Sequence, residues 1–164
     1  MKNAIVKWMY VLVGLLLLSS CATSQEKALR KAEQSRMVVQ ALNERNFKIN
    51  VDRMYPMRGS SRHVSYGYCV EVRNDTLFSY LPYFGRAYNV PYGGGKGLNF
   101  DAPIEAYQEY MRKNGLRHIE IGTSNEEDVY LYIIEVFDNG RSTIDVRARE
   151  RERISYSGDM FFEE

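Results

Sequence analysis

Reactive side chains are scarce in this 164-residue chain, which holds two cysteines, two histidines and one tryptophan. His63 and His118 fall in different segments with no further ligands at fixed spacing, so the pattern offers no metal site and both are expected at the surface. A strong charge of one sign is missing too. The 22 basic and 21 acidic residues are evenly mixed, and without a basic stripe there is no electrostatic footprint for nucleic acid. No nucleophile-elbow pattern surrounds any serine, and Cys69 alternates with Tyr68 and Val70 as a strand residue does. Glu105 and Glu109 would share a strand face with Tyr107 between them, which is only a weak carboxylate pair for hydrolysis. Nor is there an apolar run long enough to span a bilayer. Trp8 to Leu18 is 11 residues, where a spanning helix needs about 20.

That short run has a different use. Lys2 and Lys7 precede it and Leu18-Ser19-Ser20-Cys21 follows, the three-part layout of a secretory signal, so residues 1–20 are set aside from the fold. LSSC resembles the lipobox of bacterial lipoproteins. The resemblance implies cleavage between Ser20 and Cys21 and a lipid on Cys21, whose acyl chains form a stable membrane anchor. Cys69 is then left without a disulfide partner. Removing 20 of the 164 residues leaves 144, enough for one domain with its own core. Loss of the two lysines turns the formal charge from +1 to −1.

Thr23-Ser24-Gln25-Glu26 reads as a capping box, and residues 21–46 are expected to hold the lipidated terminus and an amphipathic helix. Ala28, Ala32, Ser35, Val39 and Leu42 form its narrow apolar stripe, which predicts packing on the domain or, alternatively, a stalk. From Phe47 the hydrophobic period falls from 3.6 to 2, and residues 47–164 are expected to form the β domain. Phe47, Ile49 and Val51 alternate with polar residues; so do Tyr66 to Val72, with Asn74-Asp75 reading as a tight turn into Thr76 to Leu81. Further strands are expected at Ile104 to Met111, Arg117 to Gly122, Val129 to Phe137, Ser142 to Arg149 and Ile154 to Tyr156, with Asn139-Gly140 as the clearest hairpin. Val129 to Phe137 is apolar on both parities, as a central strand covered on two sides would be. The fold expected is mainly β with one N-terminal helix. About eight consecutive strands suggest an antiparallel meander forming a barrel or strongly curved sheet, with a two-layer β-sandwich as the alternative.

The stretch Asp75 to Phe100, DTLFSYLPYFGRAYNVPYGGGKGLNF, resembles the domain of unknown function 4251 family of exported Bacteroidota lipoproteins. FKINVDRMYPMRG upstream, and FDNG, STIDV and RISYSG downstream, resemble it in the same order. The resemblance implies an envelope lipoprotein and no defined activity. Where the family usually reads Asn-Arg, this chain has Glu152-Arg153, expected to alter a surface charge.

Pro91 to Gly97, PYGGGKG, fails as a phosphate loop because Gly97 stands where Ser or Thr is needed and no helix pattern follows. The segment is also rich in tyrosine, whose ring with a polar tip suits docking on a protein or a sugar. Tyr83, Arg86, Tyr88, Tyr92 and Lys96 are therefore the candidate binding residues, and Phe84 and Phe100 are expected to pack beneath them. The competing reading makes the aromatics a plug for the barrel end. RARERER at Arg147 to Arg153 reads as a solvated face. Asp75-Thr76-Leu77 is similar to a short O-glycosylation motif of the same bacteria, though the turn already explains it. These observations lead to a non-enzymatic protein without cofactor, lipid-anchored in the cell envelope, in an outer membrane facing the periplasm or the cell surface. It would bind a protein or glycan; a structural envelope role and a hydrolase with an unrecognised site are the alternatives.

Overall fold

The computed structural model describes residues 24–65, 67–89 and 95–162. The signal segment, Ser20, Cys21, Thr23 of the capping box and Tyr92 lie outside the described residues. The first element is helix α1, residues 24–43. Among the described residues it meets the rest of the protein through its C-terminal half: Val38 and Leu42 are buried and Gln34, Ser35 and Ala41 half-buried. Ala28, Ala32 and Val39 of the expected stripe are exposed. The reason is that α1 is a plug rather than a cover. Only its last turns reach the barrel mouth, where Val38 lies one turn before Leu42 on the inserted face. Residues 24–33 are exposed throughout. Arg45 takes the left-handed conformation (φ 49°). The Arg45 and Asn46 N–H groups then bond back to the carbonyls of Leu42 and Ala41 at 3.0 Å each, a Schellman ending that turns the chain into the first strand.

Nine strands follow: β1 (Phe47–Pro56), β2 (Arg62–His63), β3 (Cys69–Arg73), β4 (Thr76–Leu81), β5 (Leu98–Met111), β6 (Arg117–Ser124), β7 (Val129–Val136), β8 (Arg141–Ala148) and β9 (Ile154–Phe161). From β3 to β9 each pairs antiparallel with the next, β3 pairs with β1, and β9 returns to β1. This closes an eight-stranded barrel. The two-residue β2 is an addition to the end of β1. Closure removes the free edges that a sandwich would leave. Two turns set the register. Asn74 and Asp75 both have positive φ (51° and 55°), the requirement of a type I′ hairpin. At the β7–β8 turn the Phe137 N–H donates to Arg141 O at 2.9 Å and Gly140 has φ 78°.

Side chains fill the lumen, as expected for eight strands. Ile49, Leu77, Ile119, Ile121, Ile134 and Ile144 are fully buried, with Tyr130, Tyr132 and Tyr156 among them. The buried Tyr132 hydroxyl donates to Ser79 Oγ (2.9 Å), which donates to Leu98 O (2.7 Å), so the polar tips inside are satisfied. β7 departs from expectation. Tyr130, Tyr132, Ile134 and Val136 face the lumen, but Leu131 and Ile133 are only half-buried on the outer surface and Val129 is exposed. A barrel strand has one covered face, and α1 closes the barrel end instead of lying over β7.

Candidate functional site

The loops 57–68, 82–97, 125–128 and 149–153 gather at the barrel end opposite α1. The described parts of the second, residues 82–89 and 95–97, form a strap at that end and are pinned on both sides of the undescribed residues 90–94. Tyr156 donates its hydroxyl to Pro82 O at 2.7 Å. The Tyr83 hydroxyl lies 2.9 Å from Arg86 O and 3.0 Å from Glu152 O. Arg86 N–H donates to Glu152 Oε2 (3.1 Å), Glu152 N–H donates to Arg86 O (2.9 Å), and Tyr88 N–H donates to Glu150 O (2.7 Å). The strap thus adds a short antiparallel bridge, Ala87 facing Arg151.

Buried charges hold the other side. Arg151 is 6% exposed and Glu152 7%. Arg151 Nη2 bonds Glu127 Oε2 at 2.9 Å, its Nε stands 3.8 Å from Asp128 Oδ2, and its guanidinium lies 5.8 Å from the Tyr83 ring centre. Asp128 Oδ1 accepts the N–H groups of Val129 (2.7 Å) and Arg149 (3.0 Å). Asn125 Oδ1 accepts those of Glu127 (2.8 Å) and Asp128 (3.0 Å), an Asx turn that presents both acids to Arg151. Lys96 N–H donates to Glu127 Oε1 at 2.8 Å, so the carboxylate approached by the glycine-rich segment belongs to the chain itself. Burial, with the Glu152 charge adding to it, pushes the Tyr83 phenol up and keeps it a proton donor.

This corrects the reading of RARERER as a solvated face. Strand alternation ends with β8 at Ala148, and in the loop that follows two successive residues, Arg151 and Glu152, turn inward to partners supplied by other loops. Glu152 is accordingly not a surface charge. Of the candidate binding residues, Arg86, Tyr88 and Lys96 are exposed, Tyr88 at 68%. Tyr83 is half-buried and anchors the strap. Phe100 packs as expected, stacking on Tyr130 with ring centres 4.5 Å apart. Phe84 does not: it is exposed, under the Arg62 guanidinium at 4.2 Å. A residue pattern shows aromatic content but not which of two neighbours, Tyr83 or Phe84, turns inward.

Residues 29–160 match the family model described as Domain of unknown function (DUF4251). The chain belongs to the DUF4251 family. No curated protein matches it. Among solved structures it is similar to a DUF4251 family protein from Bacteroides eggerthii DSM 20697, with a TM-score of 0.61 at 15% identity, over 79% of this chain and 88% of that one. The likeness extends to the fold.

Elsewhere in this DUF4251 domain the remaining candidates are engaged or buried. His118, expected at the surface, is 4% exposed: Tyr110 covers it at 4.6 Å, and its ring nitrogens lie 3.2 Å from Glu120 and Glu135. His63 is exposed. Glu109 pairs with Arg117 at 2.9 Å and accepts from the Tyr107 hydroxyl at 3.2 Å, while Glu105 is bonded by Ser124. The two carboxylates therefore have separate partners. Burial pushes the Cys69 thiol up, away from the reactive thiolate. Thr76 opens β4 directly after the turn, and Leu77 is in the lumen.

Proposed function

We propose that this DUF4251 protein is an exported lipoprotein, held in the cell envelope by lipid on Cys21, that binds a partner through the exposed side of the 83–97 strap. The observation that carries the reading is the polarity of the molecule. The chain leaves for its N-terminus from the plugged end, through a helix whose exposed residues 24–33 extend about 15 Å. The pinned strap lies at the other end. A surface held rigidly away from an anchor suits capture, since ordering the loop in advance lowers the cost of binding. Arg86, Tyr88 and Lys96 supply charge and an aromatic ring there, the composition of binding hot spots. The buried charges beneath are engaged in holding the strap, which favours recognition over hydrolysis.

Photo-crosslinking in cells from position 88, compared with position 31 on α1, tests this. A discrete adduct from position 88 that disappears in Arg86→Ala/Lys96→Ala is the expected result, with mass spectrometry showing a lipidated Cys21. No adduct, or the same adducts from both positions, points to a structural envelope role instead. An unmodified Cys21 in the mature protein removes the anchor.

A further inference from the structure

Away from the strap, the outer face of the barrel carries an open trough of about 510 Å³ over β8 and β9. Its floor is made of short side chains: Thr143 of β8 sits opposite Ser157 of β9, and Gly158 follows. Phe137, from the β7–β8 turn, and Tyr55, on β1, line it from opposite corners, three strand spacings or about 14 Å apart across the sheet. Both rings are well exposed, at 47% and 43%.

A bulge shapes one wall. The register of β1 against β9 shifts between Val51 and Arg53. Asp52 is the extra residue, so Val51 and Met54 both stay in the core while the Asp52 carboxylate is turned outward. There it accepts from Ser157 Oγ at 3.0 Å, and Ser157 Oγ lies 3.3 Å from the Tyr55 hydroxyl. The strands approach so closely that a Cβ on Gly158 would meet Asn50 O at 2.0 Å, which leaves room only for glycine. Bulges of this kind re-aim side chains beside functional surfaces.

We propose that the trough is a binding site for a neutral oligosaccharide. A sugar ring presents C–H faces that stack on aromatic rings, and hydroxyls that both donate and accept. The trough offers each counterpart. Asp138 and Asp159 accept, Arg141 and the Asn139 amide donate, and the hydroxyl floor does both. Among the described residues the side chains of Asp138, Asp159 and Arg141 have no ion-pair partner, in contrast with Asp145 nearby, which Arg147 and Arg153 hold. Mixed donors and acceptors on small side chains, between two separated rings, match a polyol. A cationic peptide would be drawn by the three carboxylates but repelled by Arg141 among them.

The site is independent of the strap, and its test is too. The full-length chain, in a detergent without a sugar headgroup, is titrated calorimetrically with cellotetraose, mannotetraose, xylotetraose and chitotetraose, and with tetralysine. At least one tetrasaccharide binds, Tyr55→Ala/Phe137→Ala weakens it at least about tenfold, and Asp159→Asn weakens it with both rings intact. Arg86→Ala/Tyr88→Ala leaves it unchanged. The melting temperature stays within a few degrees throughout, because all the replaced side chains are exposed. The proposal is overturned if no tetrasaccharide binds, if binding survives both trough variants, or if tetralysine alone is bound.

Discussion

Glu152 holds two partners from a buried position: its Oε2 accepts the Arg86 N–H, and its Oε1 faces the Arg58 guanidinium at 3.3 Å. The two contacts differ in value. Arg58 is largely exposed, so its ion pair contributes little, whereas an Arg86 N–H deprived of its acceptor near the strap loses its desolvation balance. Glu152→Gln keeps an amide oxygen for that N–H, and Glu152→Ala does not. Urea unfolding should therefore show the alanine variant less stable than the glutamine variant by about 1 to 3 kcal/mol. Equal losses would mean that the charge, not the acceptor, holds the strap.

At the scale of elements, β7 separates what alternation can and cannot reveal. Apart from Glu135, both parities of Val129 to Phe137 are apolar, yet only Tyr130, Tyr132, Ile134 and Val136 are covered. Adjacent isoleucines thus differ in consequence. Ile134→Asp places an unpaired charge in the lumen and should cost more than about 4 kcal/mol; Ile133→Asp, half-buried on the outer face, should cost less than about 1.5 kcal/mol. Thermal unfolding of the two variants checks this, and similar losses would place a covering layer over β7. Most strands, the Asn74-Asp75 and Asn139-Gly140 turns and the meander order were legible because each rests on local chemistry, a period of 2 or a residue that tolerates positive φ; the short β2, the first six residues of β5 and the last five of β9 were not, and β3 begins at Cys69 rather than at Tyr66. Barrel closure was legible only as a preference over a sandwich, since the β1–β9 pairing joins the two ends of the domain. The inserted face of α1 was misjudged at Val38 and Val39, because among the described residues the exposed first half of the helix has no buried side chain to constrain its stripe. In the strap, Arg86, Tyr88 and Lys96 fall on the exposed side as expected. Its fastening by Glu127, Asp128, Arg151 and Glu152 was hidden, because charged residues carry no periodic sign of burial when their partners come from three different loops.

For the whole molecule, the filling of the lumen by tyrosines has a consequence for pH. Burial pushes the phenols of Tyr132 and Tyr156 far above their ordinary value of 10.0, because a phenolate there would lose its hydration; Tyr107, on the outer face beside Glu109, is raised as well. Below about pH 10 all three are neutral in the folded and unfolded chains alike, and they add no pH dependence. Above it the unfolded chain releases protons that the folded chain retains. The unfolded state then binds fewer protons than the native one, so stability falls as pH rises. Urea unfolding should give only a slight loss between about pH 8 and 9.5, from the raised Cys69 thiol, and a progressively steeper one from about pH 10 upward. Tyr156→Phe removes one of the titrating groups, and although it forfeits the hydroxyl bond to Pro82 O and is less stable at neutral pH, its alkaline slope should be shallower than that of the parent. A stability that stays level through pH 11, or a slope that Tyr156→Phe does not alter, would show that the lumen admits water to these hydroxyls and is not the packed core that closes this barrel.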